Sequence, residues 1–120
     1  MVFGKNEGGG ADLSKAEREK GKRGEREAAK LLRDMGFAEA RRTAQFCGKT
    51  GDASDVVGIP GYHVEVKRCE RLELPKWIRQ AERDAAAKGP GVIPIVMHRR
   101  SGEPWYITIP AIDFLQAIKK

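Results

Sequence analysis

The sequence predicts an α/β fold with its elements in the order α-β-β-β-α-β-β-α, and three observations carry that reading. Apolar residues recur at helical spacing up to Met35 and again after Pro75. Two short apolar runs are split by Pro60-Gly61, the pattern of adjacent strands joined by a turn. Two more apolar runs, 92–98 and 105–109, flank a turn at Ser101-Gly102. A chain of 120 residues has room for one compact domain and no second core.

Residues 1–13, glycine-rich from Gly4 on, read as a flexible arm ahead of a single domain over 14–120. The first helix starts near Ser14, a good N-cap with Glu17 three residues later, and runs to Met35, where Gly36 ends it. Gly21 and Gly24 weaken its middle and leave open two pieces or a late start near Lys20. Residues 37–46 read as a first strand carrying Arg41-Arg42, and 47–54 as a loop. The second and third strands are 55–59 and 62–68. Pro75 begins a second helix that ends by Gly89-Pro90. Residues 92–98 and 105–109 are the last two strands, and 110–118 closes the chain as a helix. There is no internal repeat.

The chemistry concentrates between Asp55 and Lys67. Side chains alternate along a strand, so Val64 and Val66 face one way while His63, Glu65 and Lys67 face the other, with Glu65 and Lys67 about 7 Å apart. Pairing of the second and third strands brings Asp55 toward them. Two carboxylates and an ammonium in a partly buried patch need compensation. A divalent cation held by Asp55 and Glu65 supplies it, since hard cations such as Mg²⁺ prefer oxygen ligands. On the first helix, at about 100° per residue, Ala28, Ala29, Leu31, Leu32 and Met35 form one stripe. Glu25 falls about 50° from its centre while Arg26 points nearly opposite, so Glu25 is the acid aimed at the sheet. The plain alternatives are an exposed salt-bridge set for Asp55, Glu65 and Lys67, and a core-bordering ion pair for Glu25.

Asp55 followed by Glu65-x-Lys67 after a turn resembles the PD-(D/E)xK nuclease core. The run Lys20-Gly21-Lys22-Arg23-Gly24-Glu25-Arg26-Glu27 resembles the Gly-x-x-x-Glu-Arg-Glu helix of archaeal-type Holliday-junction resolvases, members of that superfamily. The similarity spans roughly Lys20 to Lys67 and extends more loosely over the rest. Ser54-Asp55 stands where the superfamily pattern has Pro-Asp. The resemblance implies a restriction-endonuclease-like central mixed sheet flanked by helices. It also implies a Mg²⁺-dependent endonuclease, with Mn²⁺ able to substitute. Asp55 and Glu65 would be the main metal ligands, with the Val66 carbonyl and Glu25 added. Lys67 would orient or help deprotonate the attacking water and stabilise charge. Gln80 on the second helix matches a glutamine often found near such sites, and a solvated helix position is its alternative. The junction-resolvase likeness implies a four-way junction as substrate and a homodimer that cuts two strands symmetrically. Activity on other branched, nicked or linear DNA, and a non-catalytic DNA-binding module, are the competing readings.

Composition agrees with an anionic partner. The net charge is +6, and nucleic acid is the commonest partner of a small basic domain. Arg23, Arg41, Arg42 and Lys49 flank the site as candidate phosphate contacts. His63 shares a face with Glu65 and reads as a hydrogen-bonded surface histidine; Trp77, Trp105 and Tyr106 read as core or dimer packing. No apolar run approaches the ~18 residues that span a bilayer, and no signal-peptide core is present, so a cytoplasmic protein is expected. Cys47 and Cys69 are too few and too far apart for a disulfide framework, and with His63 and His98 they form no zinc-binding spacing. Gly48-Lys49-Thr50 resembles the end of a P-loop, but Thr43 occupies the position of the required glycine, so no nucleotide cofactor is expected.

Overall fold

The computed structural model describes residues 14–43 and 55–119. Residues 1–13, read as an arm, and Lys49 lie outside that set. Helix α1 (Lys15–Asp34) opens on a full capping box: Ser14 Oγ accepts the Glu17 N–H, and the Glu17 carboxylate accepts the Ser14 N–H. The helix is continuous through Gly21 and Gly24, so neither the broken helix nor the late start occurs. Met35, counted in the predicted apolar stripe, is the C-cap and 70 % exposed; the buried face stops at Leu32.

The first strand is shorter than the sequence suggests. Phe37 N–H donates to Leu32 O and Ala40 N–H to Phe37 O, so this segment closes the helix instead of joining the sheet. Only β1 (Arg41–Arg42) pairs among the described residues; 44–46 lie outside them. It is followed by β2 (Val56–Val57), β3 (Tyr62–Arg68), α2 (Leu74–Lys88), β4 (Ile93–Arg99), β5 (Tyr106–Thr108) and α3 (Ala111–Ile118). The element order is the predicted one. Pro60-Gly61 forms the β2–β3 turn, with Gly61 at φ +86° and Tyr62 N–H donating to Ile59 O, an arrangement a side chain at Gly61 would strain.

The sheet runs β1-β2-β3-β4-β5, antiparallel except for β3 and β4, which are parallel. Parallel neighbours need a crossover, and α2 provides it. The alternation of β3 then divides the molecule into layers. Val64 and Val66, with Ile95 and Met97 of β4, bury against Ala28, Ala29 and Leu32 of α1. Val96, on the opposite face, buries against Trp77 and Ala81 of α2. The result is a mixed α/β sheet with α1 and α2 on its two faces, as predicted.

Two glycines set how closely these layers approach. A Cβ on Gly24 would lie 2.5 Å from Cβ of Arg68, so glycine is what lets α1 cross the end of β3. Gly58, at φ +100°, lies against the Glu39 carbonyl, where a Cβ would clash with backbone.

Candidate active site

The α2-facing side of β3 carries His63, Glu65 and Lys67, and α2 answers with residues one turn apart. Glu65 pairs with Val96 in register, and Val96 sits under Trp77 and Ala81. Gln80 and Asp84, spaced i and i+4 on α2, share one side of that helix and reach β3 at successive inward positions. Lys67 Nζ donates to Gln80 Oε1 at 3.2 Å. His63 Nε2 lies 2.6 Å from Glu65 Oε2 and 3.9 Å from Asp84 Oδ2. The expectation of a surface histidine is therefore wrong: His63 is fully buried, because α2 covers this face of β3.

Asp55 reaches the same place from β2. Its carbonyl accepts the Thr43 N–H and its own N–H donates to Val64 O, so its backbone is held from both sides. Its side chain turns back onto β3, where Oδ2 accepts the Val66 N–H at 2.8 Å. Asp55 thus stands where β2 and β3 part, and Glu65 and Lys67 flank the residue whose amide it binds.

Glu25 comes from α1, whose approach to β3 depends on Gly24. Its Oε1 accepts from Arg42 Nε at 2.8 Å, so it borders the core in an ion pair with an arginine of β1. It is also close enough to Asp55 to raise that carboxyl's pKa. Of the proposed phosphate contacts, Arg42 is tied to Glu25, Arg41 is exposed with Nη1 3.4 Å from the Glu39 carbonyl, and Arg23 is exposed on α1. Gln80 is brought to Lys67, not left in solvent.

Four acids in this region interact unequally. Burial, then the Glu65 charge and the Glu25 charge, push Asp55 up to about 7, against the opposing pull of the Val66 N–H and Lys67. Burial also acts to raise Glu65, but the His63 hydrogen bond and charge, the Asp84 hydrogen bond and Lys67 outweigh it and hold Glu65 below the usual carboxylate range. Asp84 is raised by burial and by its hydrogen bond to Glu65, against the opposing charges of His63 and Arg83. Glu65 is the settled anion of the group, and Asp55 is the acid whose charge is opposed.

That imbalance fits a divalent cation. Asp55 and Glu65 present hard oxygens beside the Val66 peptide, and a cation there would reverse the field that resists ionisation of Asp55. Among the described residues, ligand atoms of His63, Glu65 and Asp84 also lie within 4.8 Å of one another, a group able to hold a metal ion. Asp84 escaped the sequence reading, although it follows Gln80 by one helical turn on the side marked by Trp77, Ala81 and Ala85. No helix among the described residues is long and apolar enough to cross a membrane.

No curated protein and no solved structure matches the chain. The profile of a family described as phage putative PDDEXK endonuclease matches residues 16–120, which include every residue of the constellation above. The chain belongs to that family, within the PD-(D/E)xK superfamily of nucleases that hydrolyse phosphodiester bonds.

Proposed function

We propose that this protein is a metal-dependent DNA endonuclease with Asp55, Glu65 and Lys67 as its catalytic core, and that it acts as a homodimer on four-way junctions. The observation that carries the nuclease reading is the apposition of Asp55 to the Glu65-Val66-Lys67 strand through the 2.8 Å bond to Val66 N–H. In that arrangement Asp55 and Glu65 would hold Mg²⁺ or Mn²⁺, with the Val66 carbonyl and Glu25 as further oxygen donors. When bound, the ion lowers the pKa of a coordinated water and neutralises charge on the scissile phosphate. Lys67, steadied by Gln80, orients the attacking water and stabilises charge developing on the phosphate oxygens. His63 and Asp84 keep Glu65 ionised and fixed in orientation. Arg23, Arg41, Arg42 and Lys49 serve the DNA backbone.

The junction preference and the symmetric dimer have their support in the Lys20–Glu27 sequence and its likeness to junction resolvases. The test is cleavage of a labelled immobile four-way junction beside matched linear duplex, with Mg²⁺ and with EDTA. Paired nicks in the junction alone, abolished by EDTA, are expected. Cutting of both substrates removes the junction preference and keeps the nuclease, while tight binding without cutting leaves a DNA-binding module. Asp55→Asn and Glu65→Gln are each expected to abolish cleavage and retain junction binding. Full activity in either variant refutes the site.

A further inference from the structure

The far edge of the sheet carries an apolar surface that the site does not use. Helix α3 contains no buried residue, although Ile112, Phe114, Leu115 and Ile118 give it a strongly apolar composition. It follows β5 after only Ile109-Pro110, and β5 is itself an edge strand with Tyr106 and Ile107 exposed. These six large side chains are between 47 % and 69 % exposed. At about 200 Å² each and roughly half exposed, the four on α3 present about 450 Å² of side-chain surface, and Tyr106 and Ile107, on opposite faces of β5, extend it on either side of the strand edge toward the ~800 Å² per partner of a standard protein interface. An apolar patch of that size on a monomer is often a functional surface.

We infer that this face, β5 with α3, is where a second copy of the chain binds; the inference rests on the homodimer proposed above. Charge favours a like partner. Residues 106–119 carry one acid, Asp113, and one base, Lys119, in a chain whose net charge is +6. Two such faces meet without the repulsion that the remaining surfaces impose, whereas DNA would be drawn to the basic residues elsewhere. A membrane surface is the poorer fit, because the polar positions of α3 (Asp113, Gln116) and its C-cap Lys119 lack the lysine- and arginine-rich face of an interfacial helix. Geometry favours a two-fold. An edge strand can pair antiparallel with its own copy, so β5 is self-complementary, and the two α3 helices then flank the seam.

The test is the mass of the full chain by light scattering across about 1–100 µM. The wild type is expected near twice 13.3 kDa. Ile112→Glu/Leu115→Glu should weaken association at least ~100-fold, since the charges fall at the centre of the contact. Arg26→Glu, on the solvent side of α1, should leave the dimer unchanged. Amide exchange in wild-type residues 106–118 should slow as concentration rises, a readout that needs no variant. A wild-type dimer that survives the double substitution, with concentration-independent exchange at 106–118, overturns the surface and leaves the homodimer standing. A wild type that stays monomeric at ~100 µM overturns both, and if it sediments with lipid vesicles the face belongs to a membrane.

Discussion

Replacing Asp55 by Asn should stabilise the metal-free protein at neutral pH while destroying its activity. The carboxyl is raised from 3.8 to about 7 by burial and by the charges of Glu65 and Glu25. A carboxyl whose folded pKa exceeds its unfolded value contributes stability that is fully present below about 3.8 and is lost as the pH rises to about 7. At ~1.4 kcal/mol per unit, the ceiling is about 4 kcal/mol, and partial exposure with repulsion shared with Glu65 reduces it to about 2 kcal/mol. Asparagine removes the opposed charge, and its amide oxygen still accepts the Val66 N–H. Thermal unfolding in EDTA between pH 4 and 8 is the assay. Wild-type Tm should decline relative to the Asn variant across that window, leaving the variant roughly 8 °C higher at pH 8. Saturating Mg²⁺ should narrow or reverse the gap by stabilising only the wild type. Parallel Tm curves for the two proteins, or an Asn variant of lower Tm at pH 8 in EDTA, would refute the account of Asp55 as an opposed buried charge.

Three other substitutions probe the supports of the site. Gly24→Ala places a Cβ 2.5 Å from the Arg68 Cβ and should destabilise the fold by about 1–3 kcal/mol in chemical denaturation, with Gly21→Ala, which meets open space, as its control. His63→Ala removes the buried partner of Glu65 and should weaken Mn²⁺ binding, measured by calorimetry, by about 10–100-fold. Arg42→Ala should weaken junction binding and lower the salt slope by about one counterion, measured by fluorescence anisotropy; an unchanged slope would mean that Arg42 serves only Glu25.

The fold was legible where local signals decide it. Ser14 with Glu17 marked the start of α1, Pro60-Gly61 marked the β2–β3 turn, and the period of β3 told which residues would share a face with Glu65. Relations that depend on what covers a surface were not legible. His63 read as a surface residue because nothing local announces that α2 lies over that side of β3. Asp84 went unnoticed because a charged residue at the border of an apolar stripe usually faces solvent. Met35 marks the opposite failure. Its apolar side chain fits the stripe of α1, yet it ends outside the core, because periodicity reports which residues share a face and not whether that face has a neighbour. Glycine 24 was read only as a weakness in the helix; its small size in fact permits the approach that brings Glu25 toward Asp55.

One objection to a catalytic Asp55 is that its hydrogen bond to Val66 gives it a sufficient structural reason to exist. Where β2 leaves β3, the Val66 amide needs an acceptor, and Val66 is buried. Any acceptor side chain would serve, however, and the structural duty does not require a negative charge. The charge is a burden at this position, since Glu65 and Glu25 both oppose it. A neutral asparagine would meet the backbone need without that cost, so the acid has to answer to something else. Comparing Asp55→Asn with Asp55→Ala separates the two duties. Both variants shed the opposed charge, but alanine also orphans the Val66 N–H and should be about 1–3 kcal/mol less stable than asparagine. Loss of cleavage in both variants, with alanine clearly the less stable of the two, is the pattern expected of a residue that holds the strand with one oxygen and a cation with its charge. Cleavage that survives in the asparagine variant would reduce Asp55 to a strand clamp and move the search for the metal to His63, Glu65 and Asp84.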